Sequence, residues 1–196
     1  MKPVTVIQGR MVPLDRADVD TDQIMPKQYL KRIERTGFGE FVFDDWRQDP
    51  DFVLNDPRHS GAPILLAGAN FGSGSSREHA PWGLQQYGFE AIIAPSFADI
   101  FRSNCAKIGL LCVTLPEDRV KALMALATES PETVCTVDLP LQKVQAGDIE
   151  VDFEFDAHTK HMLVNGLDVI GMTLQLDDDI AAYEAQRPSF MPVTSS

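Results

Sequence analysis

Ser75, Ser76 and Arg77 stand together in the run Gly68-Ala69-Asn70-Phe71-Gly72-Ser73-Gly74-Ser75-Ser76-Arg77-Glu78-His79-Ala80. Two hydroxyls and a forked cation at one spot suit a carboxylate ligand, because a guanidinium grips a carboxylate with two parallel hydrogen bonds. The apolar stretch Pro63-Ile64-Leu65-Leu66-Ala67 before the run reads as a strand, and Ala80–Tyr87 after it reads as a helix. Glycines let the intervening backbone turn tightly and approach a ligand. The free N–H groups and dipole of a helix N-terminus favour an anion there. A plainer reading competes: Ser75 and Glu78, three residues apart, form a capping-box pattern that would only close a strand-to-helix turn. The local residues leave both readings open. Other glycine-loop chemistries are a poor fit. The spacing of Gly68, Gly72 and Gly74 is not the dinucleotide fingerprint, no Gly-Lys-Ser/Thr closes a phosphate loop, and no serine has glycines two residues away on each side.

Elsewhere the candidates are weaker. Asp18, Asp20 and Asp22 alternate as in the opening of a calcium loop, but Gln23 stands where that loop needs glycine and Tyr29 where it needs glutamate. His158 and His161 are three residues apart and lack further ligands in a metal-binding pattern. Cys105, Cys112 and Cys135 make an odd count without paired spacing, which predicts buried thiols rather than disulfides or zinc. His79 either packs on its helix or lines the site. Lys27, Lys31, Arg32 and Arg35 form the densest basic group in an acidic chain, serving either solubility or a second contact to an anionic substrate.

The elements that must position these residues follow from the apolar pattern. Short strands are expected at Val4–Ile7 and Val12–Leu14, then a polar turn over Asp18–Ile24, a loop or short helix over Gln28–Gly39, a strand or short helix over Phe41–Trp46, and a surface loop over Asp49–Pro63. From Ile64 strands and helices alternate: strand Ile64–Ala67, helix Ser76–Tyr87, strand Ala91–Ala94, helix Phe97–Ile108 capped by Ser96, strand Leu110–Leu115, and a helix after Pro116 through Val120–Ala127. That alternation predicts a largely parallel sheet. Beyond Pro131 strands are expected at Thr133–Leu139, Ile149–Phe155 and His161–Val164, with a closing helix at Leu176–Gln186 and a frayed end over 190–196.

The 196 residues suit one α/β domain spanning 1–196. A net charge of −12 argues against nucleic acid and anionic membranes as partners, but not against a small anion in a locally cationic cleft. The start, Met1-Lys2-Pro3-Val4, has no apolar signal core, and no apolar run reaches the roughly 20 residues that cross a bilayer, so a cytoplasmic location is expected.

With these residues in view, the chain resembles the small-subunit family of 3-isopropylmalate dehydratase, or isopropylmalate isomerase, which is similar to the swivel domain of aconitases. Asp20-Thr21-Asp22-Gln23-Ile24, the run Gly68–Leu84, Ser96-Phe97-Ala98-Asp99-Ile100-Phe101, Asn104 and Gly109-Leu110-Leu111 carry the likeness in order and spacing. Tyr29–Gly39 and Pro50–Asn55 look like the bacterial leucine-pathway form. Gly83, where alanine is common, and Cys112, where proline is common, depart from the pattern. The resemblance implies a three-layer β/β/α swivel fold. It implies dehydration of 2-isopropylmalate to isopropylmaleate and rehydration to 3-isopropylmalate, with a [4Fe–4S] cluster supplied by a large subunit. By motif, Ser75 would be the base and Arg77 the carboxylate ligand, with Ser76 assisting. Asp22 would lie at the site's seam, and Lys31 and Arg32 would face the variable end of the substrate. Related acids (homoaconitate, 2-methylcitrate, a dimethylmalate) and a non-catalytic carboxylate-binding assembly module are the alternatives. Three scattered cysteines do not make a cluster site.

Overall fold

Residues 1–31 and 36–188 are described in the computed structural model. Unbroken apolar runs, rather than alternating ones, mark strands covered on both faces. Such runs build a parallel sheet of β2 (Met11–Leu14), β3 (Ile64–Ala67), β4 (Ala91–Ala94) and β5 (Leu111–Thr114), in that spatial order. The period of two sorts their side chains. Leu65, Ala67, Ile92, Ala94 and Cys112 face one core, while Ile64, Leu66, Ala91, Ile93, Leu111 and Val113 face the other.

The first core is covered by α3 (His79–Tyr87) and α4 (Asp99–Ile108), through Ala80, Leu84, Phe101 and Cys105. Both helices are crossovers between neighbouring parallel strands, so they share a face. The second core is closed by α5 (Glu117–Glu129) together with an antiparallel sheet. That sheet has the order β1 (Val6–Gly9), β6 (Cys135–Asp138), β7 (Lys143–Ala146) and β8 (Ile149–Asp152). The result is the expected β/β/α layering.

Several local expectations are corrected. The polar turn before Pro26 contains a helical turn, α1 (Thr21–Ile24). Asp20 Oδ1 accepts from the Gln23 N–H at 2.8 Å, and Gln23 Oε1 accepts from the Asp20 N–H at 2.9 Å. A second helical turn, α2 (Asp44–Arg47), resolves the strand-or-helix choice over Phe41–Trp46. The segment Asp49–Pro63 is more than a surface loop. Phe52, Leu54, His59 and Ala62 are buried, and Phe52 joins Phe43 and Trp46 in an aromatic cluster beneath the Arg16 guanidinium.

His161–Val164 is helical, not extended. It ends α6 (Ala157–Val164), whose start is fixed by Asp156 Oδ2 accepting from the Thr159 N–H at 2.7 Å. Four residues of alternation were too few to separate the two periods, whereas the cap decides. Strand β7 and the helix α7 (Val169–Leu174) were not anticipated. The closing helix α8 (Asp177–Ala185) is present and has no buried residue. The expected frayed end over 190–196 lies outside the described residues.

Candidate active site on the edge of the parallel sheet

Strands β2 and β3 are parallel neighbours with Leu14 beside Ala67, so the segments that follow them leave the sheet side by side. This is the carboxyl edge of the sheet, where open α/β sheets place their ligands. The two segments are stitched together along their length. The Gly68 N–H donates to Arg16 O (3.0 Å), the Asp18 N–H to Ala69 O (2.9 Å), the Gly72 N–H to Val19 O (2.8 Å) and the Thr21 N–H to Ser73 O (2.9 Å). Asn70 Nδ2 donates to Asp18 Oδ1 at 2.8 Å.

From the other side the glycine loop is held by residues 96–98. The Asn70 N–H donates to Ser96 Oγ (2.8 Å), the Phe71 N–H to Ser96 O (3.1 Å) and the Ala98 N–H to Phe71 O (3.0 Å). Ser96 is therefore a clamp on the loop rather than the cap of α4, which begins at Asp99. Gly72 is required where it stands. Its φ is +78°, and a Cβ there would run into the Phe101 ring.

At the loop's far end the backbone packing stops and the side chains open outward. Ser75 and Ser76 are exposed. The capping-box reading fails here. Helix α3 begins at His79 with Glu78 at the cap position, and no side chain caps it. The Arg77 N–H donates to Ser75 O at 2.9 Å, which closes a tight turn just ahead of the helix. That hydroxyl faces Thr21 Oγ1 at 3.3 Å. Arg77 Nη1 is ion-paired to Asp22 Oδ1, and Lys27 Nζ approaches Asp22 Oδ2 at 3.2 Å. Only Nη1 of the Arg77 fork is engaged among the described residues.

Ser75, Arg77 and Asp22 are thus brought together, with Ser76 adjacent in the chain. Asn104, buried on α4, reaches the Ser76 carbonyl through Nδ2 at 3.5 Å and accepts from Lys107 Nζ at 3.2 Å. Lys31 is exposed at the end of a 3₁₀ turn (Lys27–Lys31) and makes no hydrogen bond or ion pair with the loop among the described residues. Arg32 lies outside the described residues.

Sequence reading leaves Thr21 unassigned and weighs Lys27 only within the basic group, as a second contact to an anion or a solubilising charge. The signal for Thr21 is the Thr-Asp pair directly after the Asp20 cap. His79 packs edge-on to Phe38 and tilted to Trp82, and burial lowers its pKa below the ordinary 6.5. All three cysteines are buried and unpaired, and burial pushes the Cys135 thiol up to about 12. No group of three or more His, Cys, Asp or Glu side chains among the described residues is arranged to hold a metal.

A two-sheet β/β/α body with a glycine-serine-arginine loop on its parallel edge defines an aconitase-type domain, and the aconitase C-terminal domain family matches residues 1–118. A second family, the C-terminal domain of the 3-isopropylmalate dehydratase small subunit, matches residues 170–194. A 3-isopropylmalate dehydratase small subunit from Rubrobacter xylanophilus is 54% identical over 192 residues, covering 98% of each chain. One from a Parafrankia species is 54% identical over 195 residues and covers all of both chains. One from Streptomyces coelicolor is 51% identical over 194 residues, covering 99% of this chain and 98% of its own. The chain belongs to the 3-isopropylmalate dehydratase small-subunit family. The crystal structure of a 3-isopropylmalate dehydratase from Methanocaldococcus jannaschii shares the fold, with a TM-score of 0.63 and 24% identity over 91% of this chain and 99% of that one.

Proposed function

We propose that this chain is the proton-handling half of a 3-isopropylmalate dehydratase. With a large subunit it would dehydrate 2-isopropylmalate to isopropylmaleate and rehydrate that to 3-isopropylmalate, a step of leucine biosynthesis, in the cytoplasm. The observation that carries the reading is the Ser75 hydroxyl, left exposed and uncapped beside an arginine whose fork is only partly engaged.

Asp22 fixes the Arg77 guanidinium through Nη1, so its remaining N–H groups are pre-oriented for a substrate carboxylate. The exposed hydroxyl of Ser76 adds a donor next to it. Ser75 then takes a proton from the substrate carbon during dehydration and supplies one during rehydration. A serine needs help to do this near neutral pH. The help available here is the positive charge of Arg77 and the N-terminal end of α3. Lys31 and Arg32 are assigned to the variable end of the substrate.

The cysteines of this chain do not suit an iron–sulfur cluster. Cys105 and Cys112 face the helix-side core and Cys135 the opposite one. The cluster implied by the family is therefore assigned to the large subunit, and the exposed loop is one half of a site whose other half lies on that larger chain.

The test is reconstitution with the large subunit of the same family, followed by assays on 2-isopropylmalate, homoaconitate, 2-methylcitrate and dimethylmalate. The reading predicts turnover of 2-isopropylmalate by the pair and none by this chain alone. Preference for another acid would overturn the substrate assignment, and turnover by this chain alone would overturn the half-site.

A further inference from the structure

Thr21 is the buried hydroxyl at the exposed end of the loop. The residue is 1% exposed, and its backbone is fixed at both ends: its N–H donates to Ser73 O, and its carbonyl accepts from the Met25 N–H at 3.0 Å. Its Oγ1 lies 3.3 Å from Ser75 Oγ and 3.3 Å from Ser75 O. A threonine hydroxyl has one proton and two lone pairs. It can therefore donate to only one of these two oxygens at a time, and the protonation state of Ser75 selects which.

While Ser75 carries its proton, Ser75 Oγ donates to Thr21 Oγ1 and Thr21 donates to Ser75 O. When Ser75 is an alkoxide it has no proton to give and is the stronger acceptor, so the Thr21 O–H turns to it. The carbonyl that Thr21 leaves is not stranded, because the Arg77 N–H still donates to it at 2.9 Å. The switch thus costs no unsatisfied buried carbonyl, which is the usual penalty for redirecting a buried donor.

We propose that Thr21 is a positioning residue whose hydroxyl rotates between Ser75 O and Ser75 Oγ as Ser75 gives up and regains its proton. The inference rests on Ser75 being the base. The resting Ser75 hydroxyl first loses its proton to solvent water. The alkoxide then forms a new O–H bond with the hydrogen of the substrate carbon, the C–H electron pair stays on carbon, and the Ser75 O–H, after exchange with solvent, supplies the proton on rehydration. Thr21 keeps its own proton throughout. The 3.3 Å contacts are long for hydroxyl pairs and are expected to shorten when the site is closed.

The experiment uses Thr21→Val, Thr21→Ala and Thr21→Ser in the complex with the large subunit, with assembly checked for each. Loss of a hydrogen bond to a charged oxygen predicts a fall in kcat of about ten- to a hundredfold for Thr21→Val, with KM for 2-isopropylmalate within about twofold. Thr21→Ala, which places no second methyl in the buried site, gives the same fall. Thr21→Ser keeps the rotor and stays within about threefold of the parent. The limb of the kcat profile that rises with pH moves to higher pH in Thr21→Val, because the alkoxide has lost a donor. In a Ser75→Ala background Thr21→Val has no further effect. Parent-like kcat and pH profile in Thr21→Val, a loss confined to KM, or a loss that Thr21→Ser does not restore would each overturn the proposal. If Ser75→Ala turns over like the parent, the base assignment itself fails. If Ser75→Ala is inactive and Thr21→Val is normal, only the rotor fails.

Discussion

The carboxyl edge of one parallel sheet carries two different endings. Strands β2 and β3 lead into long segments, Asp15–Asp20 and Gly68–Glu78, before their helices begin. Strands β4 and β5 lead almost at once into α4 and α5, across Pro95–Ala98 and Leu115–Pro116. The second ending also borders a cleft of about 830 Å³, lined by Arg102, Thr114, Pro116, Asp152, Glu154 and Asp156 among others. Its chemistry points away from the reaction, however, because acids outnumber the single guanidinium and its lining holds no nucleophile on a glycine turn. Its three carboxylates would repel an anionic substrate, whereas the first ending offers the Arg77 fork proposed to bind one. The difference is made by loop length and by residues such as Gly72 that let the backbone fold back on itself, not by position on the sheet.

Substitutions on the two endings should separate sharply. Ser75→Ala comes first: the reconstituted pair should lose about 10²- to 10⁴-fold in kcat while still assembling, as expected for a lost general base. Parent-like turnover, measured by substrate disappearance, would leave this chain a binding module only. Arg77→Lys should follow, at about ten- to a hundredfold in kcat/KM, because a point charge cannot replace a fork held on one tine by Asp22.

His79 tests the packing just behind the loop. Its folded pKa lies below 6.5 because burial disfavours the imidazolium. As pH falls below 6.5 the unfolded chain takes up this proton before the folded one does, so stability declines on acidification through that window. His79→Gln should shrink the drop in urea midpoint between pH 7.5 and 5.5. An unchanged drop would mean that other groups set it. The smallest effect belongs to the other ending: Arg102→Ala should leave turnover within about twofold, since its guanidinium sits over the Phe155 ring rather than toward the loop.

The parallel sheet was legible because apolar runs buried on both faces leave little ambiguity, and β3 and β4 fall on the expected residues. The chemistry at Ser75 and Arg77 was legible as residue types. Their use was not, since Ser75 and Glu78 fit a cap as well as a site. The start of α3 at His79 removes the cap, and the placement of Thr21 beside Ser75 supports the site. The antiparallel half was read less well. Strand β7 is four residues long with Lys143 and Gln145 on its outer face, and it pairs with β6 on one side and β8 on the other, both close by in the chain. So short a segment carries little periodicity. Ser96 was misassigned because a serine before a helix is a cap by default, and nothing local shows that a distant loop has claimed its hydroxyl. A Cβ at Gly83 would meet the flexible end of Met25 at 2.5 Å and Val42 Cγ2 at 3.0 Å, so alanine would need only a small shift of these side chains.

The central claim is that the Ser75 hydroxyl carries the carbon-bound proton. Wash-in of solvent deuterium at that carbon, followed by NMR in the pair reconstituted in D₂O, reads this step directly. The account predicts wash-in with the parent chain and its loss in Ser75→Ala in step with turnover, in a complex that still forms. Wash-in at the parental rate in Ser75→Ala would contradict it.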